Sequence, residues 1–213
     1  MSITLIGDIH GEFGAYLNIM CRCDKSIQLG DFGIGFVRNL MLHNPKYDLD
    51  VDAPRLIHHR QITNCDMPKE HKFIFGNHDN TKLCLKHPNC LGKWGMYQGI
   101  FFVSGGLSID QEYRTEGRDW WREEELSISD GNKVLSAYEK EKPKIVISHD
   151  CPLRINKLLY THIISSRTAQ LFDAMFDIHQ PDQWIFAHHH ISYATTIGKT
   201  KFQCLNCFET TEV

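Results

Sequence analysis

An α/β fold is predicted for this chain because short apolar runs alternate with stretches of helical spacing. Five of those runs also end in residue types that bind metals. They are Leu5-Ile6-Gly7, Ile27 to Gly30, Phe73 to Gly76, Ile145 to Ser148 and Trp184 to Ala187. Open α/β sheets place their chemistry beyond the carboxyl ends of buried strands. Five such endings in 213 residues point to a single site on one sheet edge, drawn from distant parts of the chain.

Taken in order, Ser2 to Gly7 reads as a strand that runs into Asp8-Ile9-His10-Gly11. Glu12 to Cys23 places Phe13, Tyr16, Leu17 and Met20 at helical spacing. Ser26 to Gly30 is a second strand, followed by Asp31. The segment 32–64 has little periodicity, with glycines at 33 and 35 and prolines at 45 and 54, so an irregular insertion or lid is expected there. Within it, Phe36 to His43 has some helical character. Lys72 to Phe75 is a strand, and Asn80 to Cys90 a short helix closed near Pro88. Gly99 to Ser104 is strand-like and ends in Gly105-Gly106, while Asp110 to Asp119 reads as a loop. Trp120 to Leu126 and Asn132 to Glu141 have helical spacing, and Pro143 stops the second. Lys144 to Ser148 is a buried strand that ends in His149-Asp150. Ser166 to Ile178 is an amphipathic helix, Trp184 to Ala187 a strand, and Ser192 to Ile197 with Thr200 to Asn206 a closing hairpin.

Composition narrows the class. A hydrophobic content of 42% and a charged content of 23% are those of an ordinary globular protein, and the length suits one domain over 1–213. A net charge of −3 gives no broad electrostatic reason to expect a nucleic-acid partner. The first residues lack a basic n-region and an apolar h-region, and the apolar runs are too short to span a membrane, so a cytoplasmic location is expected. The eight cysteines, at 21, 23, 65, 84, 90, 151, 204 and 207, are therefore read as free thiols. The alternative is a structural zinc bridging the pairs Cys21/Cys23 and Cys204/Cys207.

The strand endings supply Asp8 and His10, Asp31, then Asn77, His78 and Asp79, then His149, and the histidines 188–190. One at a time, Asp8, Asp31 or Asn77 would be ordinary turn or helix-cap residues. Together with the histidines they make a ligand set. Mixed carboxylate, imidazole and amide donors suit borderline divalent ions. Seven donors exceed one tetrahedral site, so two ions are expected. Manganese is the first choice, with iron, zinc, cobalt and nickel as alternatives.

Asp8-Ile9-His10, Gly30-Asp31, Gly76-Asn77-His78-Asp79, His149 and Ala187-His188-His189-His190 resemble the motif series of the calcineurin-like metallophosphoesterases. They occur in the family's order across residues 8 to 190. The resemblance implies a four-layer αββα sandwich with two mixed β-sheets. It also implies that Asp8, His10 and His190 hold one ion, that Asp31 bridges, and that Asn77, His149 and His188 complete the second. His78 would stand off the ions as acid or transition-state stabiliser, and His189 would point away. Asp79 joins His78 in the catalytic group, since Asp79 or Asp150 can orient a ring. Arg114 and Arg118 are candidates for gripping phosphate oxygens, and Trp120-Trp121 for core packing.

The implied activity is hydrolysis of phosphate esters by a hydroxide activated between two ions about 3.5–4 Å apart. A phosphomonoesterase acting on a phosphorylated small molecule or a phosphoprotein is the first reading. A phosphodiesterase for cyclic nucleotides or nucleic acid is the alternative. A non-catalytic scaffold is disfavoured, because His78 and all seven ligand positions are present. Gly7-Asp8-Ile9-His10-Gly11 is similar to the protein Ser/Thr phosphatase branch. That branch, however, continues its second motif with Asp-Arg-Gly where this chain has Ile34-Gly35-Phe36, and carries Glu where this chain has Asp79. These departures favour a small phosphoesterase of the wider superfamily over a dedicated protein phosphatase.

Overall fold

The computed structural model describes residues 2–35, 67–162 and 165–213. Strands β1 (Thr4–Ile6), β2 (Ser26–Leu29), β3 (His71–Ile74) and the last strand, β10 (Thr210–Glu212), form one sheet in the order β10-β1-β2-β3. The second sheet contains β4 (Trp94–Tyr97), β5 (Ile100–Val103), β6 (Ile145–Ser148), β7 (Gln183–Phe186), β8 (Tyr193–Ile197) and β9 (Thr200–Cys204), in the order β4-β5-β6-β7-β9-β8. Each sheet has a parallel run, β1-β2-β3 in the first and β5-β6-β7-β9 in the second; β10 joins the first antiparallel at one edge, and β4 and β8 join the second antiparallel at both. Both are mixed, as the resemblance implied.

Side-chain alternation sorts the strand residues into layers. Leu5, Ile27, Leu29 and Ile74 of the first sheet meet Ile100, Phe102, Ile147 and Ile185 of the second, and these form the core between the sheets. Their neighbours along β5 and β7, Phe101, Val103, Trp184 and Phe186, face the other way. They pack under α3 (Ile128–Glu141), α4 (Leu153–Leu159) and α5 (Arg167–Ile178) through Val134, Tyr138, Ile155, Phe172 and Phe176. On the far side of the first sheet, Ile6 and Phe73 meet Phe13, Tyr16 and Met20 of α1 (Phe13–Met20) and Cys84 of α2 (Thr81–Cys84). The result is four layers with three apolar seams. It explains why the central strands read as continuous apolar runs, since both their faces are buried.

The helices start where their caps dictate. Ser127 and Ser166 accept from the amides of Asp130 and Ala169, and Asn80 from that of Leu83. At its other end α3 stops on Lys142 in a left-handed conformation, just before Pro143. Two strands and one α-helix went unpredicted. They are β4, a half-exposed edge strand with Gly95 inside it, α4, which follows Pro152, and β10, which closes the first sheet against β1.

Trp120 to Leu126 is not a helix but one 3₁₀ turn, Arg122–Glu124, because Glu124 is drawn inward by Ser108 and its carbonyl by the amide of Gly106. The Asn80–Cys90 helix shrinks to α2. The Phe36–His43 helix, the expected lid beyond Gly35, and Cys65 lie outside the described residues. Among the described residues, seven cysteines are free and the two cysteine pairs form no common ligand cluster, so a bridging zinc is not supported. No described helix is long and apolar enough to cross a membrane.

Trp184 anchors the helix-covered seam. Its ring is fully buried against Phe172 and Phe202, and its Nε1 donates to Ser148 Oγ at 2.8 Å. Trp184→Ala is expected to lower unfolding stability by about 3–5 kcal/mol, measured by urea denaturation. A loss below about 1 kcal/mol would mean the seam repacks around the gap.

Candidate metal centre

The parallel strands of both sheets deliver their carboxyl-end loops to one edge. Asp8 and His10 follow β1, Asp31 follows β2, Asn77 and His78 follow β3, His149 follows β6, and His188 and His190 follow β7. Main-chain hydrogen bonds lace these loops together. The amide of His10 donates to the Asp31 carbonyl (2.8 Å), that of Gly105 to Phe75 (2.8 Å), and that of Ala187 to His149 (3.0 Å). His10, Asp31, His188 and His190 all have positive φ, between 45° and 68°. For residues other than glycine that conformation carries strain of order 1 kcal/mol each. Here it turns four side chains toward a common point.

The ligand atoms fall into two sets. In the first, Asp8, His10, Asp31 and His190 offer atoms that all lie within 4.8 Å of one another. In the second, Asp31, His149 and His188 do the same. Asp31 is common to both. Asn77 Oδ1 joins the second set, 3.0 Å from His149 Nε2. All seven residues singled out in the sequence as ligands are therefore brought together.

Two observations test whether cations fit. Oδ2 of Asp8 is buried and faces two ring nitrogens, His190 Nε2 at 3.0 Å and His10 Nε2 at 3.8 Å. His149 Nδ1 lies 2.8 Å from the Leu29 carbonyl, which makes that nitrogen a donor and turns Nε2 into the site. Around Nε2 lie Asn77 Oδ1 at 3.0 Å, Asp31 Oδ1 at 3.2 Å and His188 Nδ1 at 3.2 Å, a set that calls for either a proton or a cation at its centre. Lone pairs gathered in a buried place need positive charge among them. The residues fit a pair of divalent ions.

The titration behaviour says the same. Burial works against charge on His149, yet Asp31 and then Asp8 hold its pKa up at about 10. Burial likewise opposes charge on Asp31, but the rings of His78, His149 and His10 keep it well below the usual carboxylate range. Burial drives His188 down to about 3 and His78 down to about 4, with Arg114 helping at His78. A proton on His149 is doing in part what a cation would do.

His78 stands beside the ligand sets. Its Nδ1 is 3.9 Å from Asp31 Oδ2, and its Nε2 is 2.8 Å from Arg114 Nη2. With its pKa lowered, the ring is neutral and accepts from the guanidinium. Arg114 is itself aimed by Asp110, through Nε at 2.7 Å and Nη2 at 2.9 Å, and by the Asp119 carbonyl at 3.1 Å. His78, Asn77, Asp31 and Arg114 line a cavity of about 360 Å³ whose outer wall includes Ile109, Tyr160 and His162. Arg118 is half-buried in the same loop but does not line this cavity, so the structure separates the two arginines.

Asp79 has a different task from the one expected. Its two oxygens accept from the amides of Phe32 (3.0 Å), Gly33 (2.6 Å), Ile34 (3.0 Å) and Gly76 (2.9 Å). It clamps the loop after β2 to the loop after β3 rather than orienting the His78 ring. Burial and the nearby Asp31 charge push its pKa up, against the amides that favour the ionised form. Asp150 does orient a ring, that of His189, which lies 3.3 Å away and, as expected, points off the ligand sets toward Cys151 and Tyr160. Gly76 is required, because a Cβ there would overlap Asp31 and the His149 ring.

Two residues that the sequence reading missed position Asn77. Its Nδ2 donates to Ser108 Oγ at 3.0 Å. Ser108 in turn gives its hydroxyl and its amide to the two oxygens of buried Glu124, at 2.6 and 2.9 Å. This chain fixes which way the Asn77 amide faces and leaves Oδ1 for the second set. Among the signals in the sequence, only the Gly105-Gly106 turn hinted that this loop comes close.

Asp79→Ala should remove about 3 kcal/mol or more of stability from the metal-free protein in urea, because four buried amides lose their acceptor. Wild-type stability in that variant would refute the clamp. Ser108→Ala should keep the fold and weaken binding of the second divalent ion by about 10–100-fold in calorimetric titration. Unchanged affinity would show that Asn77 needs no such support.

Comparison with known proteins agrees with this architecture. The chain has the fold of a dimetal phosphatase from Danio rerio, at 12% identity with a TM-score of 0.50 over 98% of this chain and 88% of that one. It also has the fold of GAP50, the anchor in the inner membrane complex of Plasmodium, at 11% identity and TM-score 0.50 over 96% of this chain and 70% of that one. No curated protein sequence matches. A family model described as calcineurin-like phosphoesterase matches residues 1–192, which include every ligand position named above. The chain belongs to the calcineurin-like phosphoesterase family, whose members are metal-dependent phosphoesterases.

Proposed function

We propose that this centre hydrolyses phosphate monoesters. The reading rests above all on the two ligand sets that share Asp31, with the Arg114–His78 pair beside them on the wall of a single cavity. Two divalent ions bound there would supply Lewis acidity and a nucleophile at neutral pH. Asp8, His10, Asp31 and His190 hold one ion, and Asp31, Asn77, His149 and His188 the other.

The remaining residues handle the phosphate. Arg114 presents a guanidinium already oriented by Asp110, suited to the non-reacting oxygens of a doubly charged terminal phosphate. A monoester carries that second charge and a diester does not. His78 accepts from Arg114 at Nε2, so it would serve the leaving oxygen as an acid only after an arriving phosphate draws Arg114 away and the freed nitrogen takes up a proton from solvent. The cavity holds a small phosphorylated molecule or the phosphorylated side chain of a larger one. Ile109 and Tyr160 at its mouth would contact the group that bears the phosphate.

The test is a metal-reconstituted assay comparing p-nitrophenyl phosphate, bis-p-nitrophenyl phosphate and cyclic nucleotides. Monoester turnover well above diester turnover is expected, and the reverse order would make the protein a phosphodiesterase. Silence on all three with both ions bound would favour a scaffold. Asp31→Asn should abolish turnover together with binding of the ion pair. His78→Ala should keep both ions and lose roughly 10²–10⁴ in rate. An empty centre in His78→Ala would make that residue a ligand.

A further inference from the structure

One wall of the cavity beside the metal centre lies outside the motif series. Tyr160, which follows the last residue of α4, lines it together with Leu107 and Ile109. Asp31, Asn77 and His188 of the ligand sets bound the same cavity. The phenol oxygen of Tyr160 lies 3.2 Å from Nδ1 of His189, the ring that points off the ligand sets.

The direction of that hydrogen bond follows from what faces the other side of the ring. Nε2 of His189 is 3.3 Å from Asp150 Oδ1 and 3.3 Å from Cys151 Sγ. The carboxylate has only lone pairs to offer. The Cys151 thiol gives its hydrogen to Asn156 Oδ1 at 3.4 Å, so its sulfur also meets the ring as an acceptor. Nε2 is therefore the nitrogen that carries hydrogen, and in the neutral ring Nδ1 is left to accept. Tyr160 donates to it. With its one hydrogen committed to His189, the phenol can only accept from whatever else enters the cavity.

This arrangement is in place before any ligand arrives. Asp150 Oδ1 accepts from the Cys151 amide at 2.7 Å, and the Asp150 carbonyl accepts from Ser148 Oγ at 2.6 Å. The His189 ring packs edge-on against Phe186. An ester with nothing to donate at that wall would cover the phenol oxygen and leave it without a partner, which costs binding.

We propose that Tyr160, aimed by His189 and Asp150 as positioning residues, selects phosphate esters whose alcohol part carries a hydroxyl. This rests on the phosphate site described above and deepens it. The substrate class becomes phosphorylated polyols rather than plain alkyl phosphates, with Leu107 and Ile109 supplying apolar surface for the carbon skeleton. A tyrosine that merely ends α4 would make no such choice, because its ring and not its hydroxyl would do the packing.

Calorimetry with non-hydrolysable phosphonates on the metal-loaded protein reads this without turnover. Short ω-hydroxyalkyl phosphonates should bind about tenfold more tightly than alkyl phosphonates of matched length. Matched ω-methoxyalkyl phosphonates, which can only accept, should bind no better than the alkyl ones. Tyr160→Phe keeps the ring and should bring the hydroxyalkyl-to-alkyl ratio to about one. Where the matched esters are turned over, the preference should appear in KM rather than kcat. His189→Ala, at full metal occupancy, frees the phenol hydrogen, and methoxyalkyl phosphonates should then gain on alkyl ones. Absence of that gain overturns the part given to His189. Equal affinities in wild type, a preference that survives in Tyr160→Phe, or tighter binding of the methoxyalkyl series in wild type overturns the assignment and leaves the monoester reading standing. A hydroxyl preference in binding, with no monoester hydrolysed, overturns the catalytic reading and leaves the assignment of Tyr160 standing.

Discussion

Two carboxylates, Asp8 and Asp31, are buried side by side among histidines, and the rest of the site answers to the cost of keeping them there. Uncompensated charge at such depth would be expelled or neutralised. The chain meets that cost with imidazoles that do not fully balance it. His188 and His78 are pushed toward neutrality, and His149 alone is pulled strongly the other way. What remains is a deficit of positive charge in a place walled by lone pairs. Strained φ values, the Asp79 clamp and the Asn77–Ser108–Glu124 chain all keep those lone pairs aimed at each other when relaxation would turn them apart.

Much of this was legible in the chain because the ligands follow strands. A strand buried on both faces announces itself as an unbroken apolar run, and a polar residue at its exit stands out. Asp8, Asp31, Asn77 and His149 were readable on that ground, whereas which face Phe101 or Ile147 would take was not, since an unbroken apolar run shows no alternation. What went unread depends on partners far away in sequence. β4 is half-exposed and has a glycine inside it, so it lacks the apolar run by which a strand is recognised. Trp120 to Leu126 has helical spacing, but Ser108 draws the Glu124 carboxylate inward and only one 3₁₀ turn forms. Asp79 looked like a companion of His78 because the two are adjacent, whereas its oxygens serve amides some 45 residues earlier in the chain.

Ser108 shows the same limit from the side of function. It belongs to no motif, and a serine in that loop is not unusual. It gains its role from the Asn77 amide, which must be told which way to face. The informative quantity is a distance across the fold, which no local pattern encodes. Fold alone is also silent on activity, since chains of this architecture include both a phosphatase and a membrane-complex anchor. The centre carries the functional argument.

The ligands come from both sheets, with Asp8, His10, Asp31 and Asn77 on loops of the first and His149, His188 and His190 on loops of the second. Ions bound there act as rivets across the seam between the layers. Free energy of binding is then also free energy of holding the two sheets in register. At a free-ion concentration a hundredfold above the dissociation constant, one site adds about 2.7 kcal/mol to folding stability. Resistance to unfolding would then follow the supply of the ion, and starvation for it would thin the population of folded molecules.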